Sequence, residues 1–124
     1  MRELLIVFLG GGFGSVARFT LGRWIGAFHA TQFPWETFVV NILACFILGL
    51  LVGLADHKQL ISPAARLFWT VGFCGGFSTF STFSNELLHL LQSGLTTTLM
   101  LYIFGSLLFC VAATYCGLFI GESI

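Results

Sequence analysis

The chain has 124 residues, of which 57% are hydrophobic and only 8% charged, and its mean hydropathy is +0.99. Soluble domains carry about 25% charged residues, so a chain this poor in charge cannot cover a globular surface and must use lipid as its solvent. Five basic and five acidic residues cancel, which excludes the basic field that nucleic-acid binding requires, and the length leaves nothing over for a soluble module beside a few membrane spans.

The first predicted span runs from Glu3 to Ala27. Arg2 and the apolar run Leu4 to Leu9 superficially fit a cleaved leader, but no small-residue cleavage site precedes a soluble domain. The segment is therefore expected to be a permanent span. Its run Gly10-Gly11-Gly12-Phe13-Gly14 is not a dinucleotide loop, since Ser15 stands where the third glycine belongs and no strand precedes it. Arg18 lies inside this span, where an unpaired charge is costly; it either faces an aqueous vestibule or snorkels to the interface. A break from Phe28 to Pro34 contains His29 and Gln32, with Trp24 and Trp35 placed as interfacial anchors.

The second span, Pro34 to Ala55, carries Asn41 within the run FVVNILACF and Thr37 one turn earlier. A buried amide needs partners or water, so Asn41 is interhelical glue or a donor lining a pore. The polar run Asp56-His57-Lys58-Gln59 through Pro63 forms the second break. The third span extends from Ala64 to Leu91, and the turn Gln92-Ser93-Gly94 leads into the fourth, Leu95 to Gly121. At about 1.5 Å per residue each span reaches the ~30 Å of a hydrocarbon core. An all-helical bundle follows, because open sheet edges cannot survive in lipid.

Four spans put both termini on one side with Arg2, Lys58 and Arg66, against Arg23 and Arg18 on the other. This weak bias fits a short chain with few charges, and fits equally a dual topology in which copies insert both ways and pair antiparallel. Glycines four apart occur at Gly10/Gly14, Gly22/Gly26, Gly49/Gly53, Gly72/Gly76 and Gly117/Gly121. They let backbones approach closely, within the chain or between copies. Cys45, Cys74, Cys110 and Cys116 sit in apolar stretches without CxxC spacing and read as packing residues. His29, His57 and His89 are scattered and lack the spacing of a metal site.

The third span carries the chemistry. Gly72 to Glu86 reads GFCGGFSTFSTFSNE, in which glycines followed directly by Ser78 and Thr79 weaken the helical ladder. At about 100° per residue, Ser78, Ser81, Thr82, Asn85 and Glu86 share one broad arc, with Thr79 at its edge and Phe77, Phe80 and Phe83 on the other side. Six polar side chains on one side of a span predict a track facing protein or water. Non-helical backbone at membrane depth frees carbonyl groups that can ligate ions, so Gly75 to Ser78 is a candidate backbone ion site, with a simple glycine kink as the plainer alternative. In the fourth span, Thr96, Thr97, Thr98, Tyr102, Ser106 and Thr114 have different helical phases and cannot all face one path.

The double STF repeat after the glycine pair, with TFVVN upstream and GGGFGSVARF near the N-terminus, resembles the Fluc (CrcB) family of fluoride channels over Gly10 to Thr114. The resemblance implies passive fluoride conduction through two pores of an antiparallel, dual-topology homodimer in the cell (inner) membrane, crossed several times by each chain. It implies that Phe80 and Phe83 turn ring edges to the ion, and that Asn41, Ser81, Thr82, Tyr102 and Glu86 line its path. It also implies a structural sodium ion (Na+) held by the backbone carbonyls of Gly75 and Ser78. Cys110 stands where the family has a further hydroxyl. The chemistry is coherent: fluoride sheds its water only for strong donors at close range, which hydroxyls and an amide supply, and a phenyl ring is positive at its edge. A sodium ion about 10 Å away adds roughly 1–2 kcal/mol of attraction at an effective dielectric of about 20. Selectivity must then rest on pore width and donor geometry.

Two other classes compete. A proton-coupled exporter of the small multidrug type needs a carboxylate deep in a span, and the first span has none past Glu3. A membrane scaffold whose glycines serve assembly alone leaves the polar face of the third span without a purpose. Enzymatic activity lacks a nucleophile–base pair or a metal cluster, and ATP coupling lacks a Walker A sequence.

Overall fold

The computed structural model describes residues 1–28 and 31–124; His29, assigned above to the first break, lies outside them. All regular structure among the described residues is helical. Helix α1 spans Arg2–Phe28 and α2 spans Trp35–His57. A third rod follows in pieces: α3 (Pro63–Arg66), a wide π-helical stretch (Leu67–Cys74), α4 (Gly75–Phe77), two extended residues, and α5 (Phe80–Gln92). Helix α6 covers Thr96–Ser123. Thus α1, α2 and α6 are each long and apolar enough to cross a membrane unbroken, whereas the third predicted span is composite.

Local chemistry sets the ends of these rods. Ser62 caps α3 by accepting a hydrogen bond from the Ala65 N–H at 3.2 Å, with Pro63 in the first helical position where its missing N–H costs nothing. At the other end of the rod, Gly94 takes a left-handed φ of 74°. This lets the Leu95 N–H reach back to the Leu90 carbonyl at 3.0 Å and stops α5 in a tight turn.

Two parallel helix pairs form the body. Helix α2 lies along α6, with Gly49 against the Thr114 carbonyl, Gly53 against Leu118, Gly117 against Phe46 and Gly121 against Leu50. Helix α1 lies along the third rod, where Gly10 and Gly14 meet the backbone of Phe68 and Phe73, and Gly72 and Gly76 meet Gly10 and Gly11. Gly26 packs against the Glu36 side chain. A methyl group at most of these positions would strike backbone, so the spaced glycines serve contacts inside one chain, where van der Waals packing replaces the missing hydrophobic drive.

Burial is sparse. Val40, Ala44 and Phe77 form one small core with Ala17, Leu21 and Phe73 around it; Leu90, Leu99 and Tyr102 form another with Phe33, Phe38 and Phe83. Large apolar side chains such as Phe8, Phe19, Phe104 and Leu108 point outward, as lipid-facing residues do. At the polar end of the bundle, His57 Nε2 lies 3.0 Å from Glu122 Oε1 and Arg66 lies 2.9 Å from Asp56. These pairs tie the end of α2 to the end of α6 and to the start of the third rod.

Candidate functional site: a clamped helix break among cavities

The glycines of the third rod are not its break. Gly72 and Gly75 stay helical, because their role, at Gly72 and Gly76, is close approach to α1. The chain leaves the helix at Ser78 (φ −79°, ψ 157°) and Thr79 (φ −148°, ψ 124°). What holds these two residues extended comes from another helix. Asn41 in α2 accepts the Thr79 N–H on Oδ1 at 2.9 Å and donates Nδ2 to the Thr79 carbonyl at 3.0 Å, the pair of bonds a neighbouring β-strand would supply. Asn41 is therefore interhelical glue, and it also borders a cavity.

The remaining groups at the break are satisfied locally. The Ser78 N–H and hydroxyl both donate to the Cys74 carbonyl, at 3.0 and 2.9 Å. Thr79 Oγ1 caps α5, accepting the Thr82 N–H at 3.3 Å and donating to Thr82 Oγ1 at 3.1 Å. Arg18 does not snorkel away: its Nε donates to the Gly76 carbonyl at 3.1 Å, so α1 also braces the break. In an unbroken helix the N–H groups of Thr79 and Thr82 would bond the carbonyls of Gly75 and Ser78. Here Asn41 and the Thr79 hydroxyl take them instead, which releases those two oxygens. The donor set thus fits a hard cation, since hard cations take oxygen ligands. Gly75 is exposed, with open space where a Cβ would stand.

Cavities surround this point. One of about 190 Å³ is lined by Arg18, Arg23, Glu36, Thr37, Thr79 and Thr82, among others. A second, about 270 Å³, lies across Thr79 and is lined by Asn41, Ser78, Phe80, Phe83, Ser106, Cys45 and Cys110 together with Leu107 and Val111. A third, about 290 Å³, sits farther along α5 at Asn85, Glu86 and His89, with Gln32 and Pro34 opposite. Thr79, the N-cap of α5, lines the first two, so the positive end of that helix's dipole lies beside them, a setting that favours anions.

The sequence-predicted side chains divide accordingly. Thr82 borders the first cavity, Phe80 and Phe83 the second, and Glu86 the third; Ser81 is exposed beside Thr79 Oγ1 at 3.4 Å. The Phe80 and Phe83 rings stand 5.7 Å apart, tilted by 45°, and Phe80 is 78% exposed in the single chain. Phe77 parts company with them: it is buried and stacks on Phe73. Tyr102 is wholly buried, its ring against Phe83 and its hydroxyl donating to Glu86 Oε1 at 3.0 Å. It therefore touches the cavities only through the carboxylate it holds.

Sequence reasoning did not single out Ser106. Its Oγ is buried with no hydrogen-bond partner among the described residues, at the edge of the second cavity. A hydroxyl without a partner costs about 1–3 kcal/mol, which is tolerable where a ligand or water supplies the bond. The available signal was spacing, since Tyr102, Ser106 and Cys110 recur every four residues and so share one face of α6.

An all-helical, multi-pass membrane protein with a braced polar break between donor-lined cavities is the class these features define. The chain belongs to the CrcB family: the family described as "CrcB-like protein, Camphor Resistance (CrcB)" matches residues 5–118. It is 46% identical over 122 residues to a protein of Phocaeicola vulgatus named fluoride-specific ion channel FluC, covering 98% of this chain and 100% of that relative. Proteins of the same name in Flavobacterium psychrophilum, 40% identical over the full length of both chains, and in Magnetococcus marinus, 43% identical over 98% of this chain and 99% of the relative, are similar along their whole length as well.

Proposed function

We propose that this chain is a fluoride-selective passive channel of the cell (inner) membrane, in which the broken third rod is a fourth span and two copies pair antiparallel. The observation that carries the proposal is the extended pair Ser78–Thr79 fixed by Asn41, with hydroxyls, phenyl rings and a helix N-terminus around it. Relatives of matching length named as fluoride channels support it.

Fluoride gives up hydration only where donors are fixed in advance and spaced closely. Thr82, Ser81, the second Nδ2 hydrogen of Asn41 and the unpartnered Ser106 hydroxyl are such donors. The rings of Phe80 and Phe83 add positive edges in place of water. Arg18 and Arg23 at the first cavity raise the local concentration of anions. Tyr102 orients Glu86 through its hydroxyl, holding the carboxyl group at the edge of the third cavity. No bond is made or broken, and the electrochemical gradient alone drives the flux.

In the paired form, the released carbonyls of Gly75 and Ser78 would hold a structural sodium ion. That ion would supply a fixed positive charge that attracts anions into the protein. The open surface at Gly75 supports placing a second copy there.

The test is efflux from liposomes loaded with potassium fluoride and rendered permeable to potassium, read with a fluoride electrode beside a parallel chloride run. Fluoride efflux without chloride efflux is expected, and Phe80→Ile or Phe83→Ile should slow it at least about tenfold. Equal passage of both halides would overturn the assignment. Efflux of a lipophilic cation driven by a proton gradient would instead fit a proton-coupled exporter.

A further inference from the structure

The 270 Å³ cavity contains a feature that anion conduction does not use. Cys45 of α2 and Cys110 of α6 both line it, beside Asn41, Phe83 and Ser106. They come from the two helices whose backbones touch at Gly49 and Gly117, so both thiols border the same space. Sulfur is a poor donor for a small hard anion but a strong ligand for soft metal ions. No cluster of three or more cysteine, histidine or carboxylate ligands exists among the described residues. Two thiols bordering one cavity therefore suit an ion that accepts linear, two-coordinate ligation. The same cavity holds the buried Ser106 hydroxyl, 9% exposed and without a hydrogen-bond partner among the described residues, which a bound species or water there would satisfy.

We infer that Cys45 and Cys110 form a binding site for a soft, two-coordinate monovalent cation of the Ag+ or Cu+ class, and that its occupation closes the ion path. The second half rests on the channel reading above. As the two S–metal bonds form, each thiol gives its proton to water, so binding tightens as pH rises. Two thiolates around one monovalent cation leave one net negative charge next to Asn41 and Phe83. That charge repels a passing anion while the metal and its ligands narrow the route.

Silver ion is the probe, in chloride-free nitrate buffer, with the full-length protein. Retained silver is counted by intact mass measurement in the Cys116→Ser background, which removes the exposed thiol, and fluoride efflux is recorded with and without silver. One silver ion per chain is expected. It should be lost in Cys45→Ser and in Cys110→Ser and kept in Cys74→Ser, whose thiol shares only the adjoining cavity of about 160 Å³ with Cys45. Silver should slow efflux by at least about tenfold, whereas the Cys45→Ser/Cys110→Ser double variant should stay within about twofold of its own silver-free rate. Retention unchanged in that double variant, or abolished by Cys74→Ser, would overturn the site. Retention with undiminished efflux would overturn the closure. Absence of fluoride efflux before any silver is added would refute the channel reading, while the retention measurement still decides the site.

Discussion

Replacing Asn41 with leucine keeps the size of the side chain and removes both atoms that hold Thr79 extended. The two bonds, at 2.9 and 3.0 Å, satisfy a backbone N–H that has no helical partner at the break and add a second bond to the Thr79 carbonyl, which as the N-cap of α5 already accepts the helix's first bond. Each such group left unpaired away from water costs about 1–3 kcal/mol. Because Thr79 adjoins two cavities from which water can partly substitute, the expected loss is roughly 1–3 kcal/mol, mostly from the N–H. With the clamp gone, the start of α5 and the cap at Thr82 lose their fixed position, so efflux should fall at least about tenfold even in protein that remains folded. Asn41→Asp is the sharper variant. It retains the acceptor for the Thr79 N–H but turns an oxygen toward the Thr79 carbonyl and sets a negative charge beside the second cavity, the proposed anion route. Thermal unfolding in detergent, followed by monodispersity on a sizing column, reads the stability, and the fluoride electrode reads the function. Wild-type melting together with wild-type efflux in Asn41→Leu would refute the idea that this amide builds the break.

Ser106→Ala separates function from stability, because the hydroxyl has no partner to lose among the described residues: stability should be unchanged or rise by up to about 1–3 kcal/mol while fluoride efflux drops several-fold, and an unchanged flux would remove Ser106 from the path. Gly117→Ala should destabilise by about 1–3 kcal/mol, since its methyl group would meet the Phe46 carbonyl, whereas Gly12→Ala, with nothing within 4 Å, should be neutral or slightly stabilising; the same melting assay compares them. Gly75→Leu has open space in the single chain and should leave monomer helicity by circular dichroism intact while abolishing pairing in light scattering. A persistent dimer would place the contact between copies elsewhere.

Some of this molecule is written along the chain. Low charge and long apolar runs compel helices in lipid, and the observed rods begin and end within a few residues of the breaks at Pro34, Pro63 and Gly94. The hydroxyl run after Gly76 announces trouble in the third span. Its position, however, is two residues beyond the glycines, and the reason is non-local: Thr79 is held by a residue 38 positions earlier. A weak point in a helix says only that the ladder can open, whereas the group that captures the freed N–H and carbonyl decides where it does.

The same distinction governs the glycine pairs and Arg18. Spacing shows that two backbones can touch, but Gly49 and Gly117 are equally able to meet a partner chain until α2 is seen lying along α6. Arg18 is costly at membrane depth wherever it points, and only the third rod, with its stray Gly76 carbonyl at 3.1 Å, relieves that cost inside the protein. Composition and periodicity by themselves determined the solvent, the secondary structure and which span carries polar chemistry, because those follow from hydration and from the geometry of one helix. Which carbonyls are released, which hydroxyl is left without a partner and which thiols share a cavity were decided by tertiary packing, because each depends on atoms brought together from different helices.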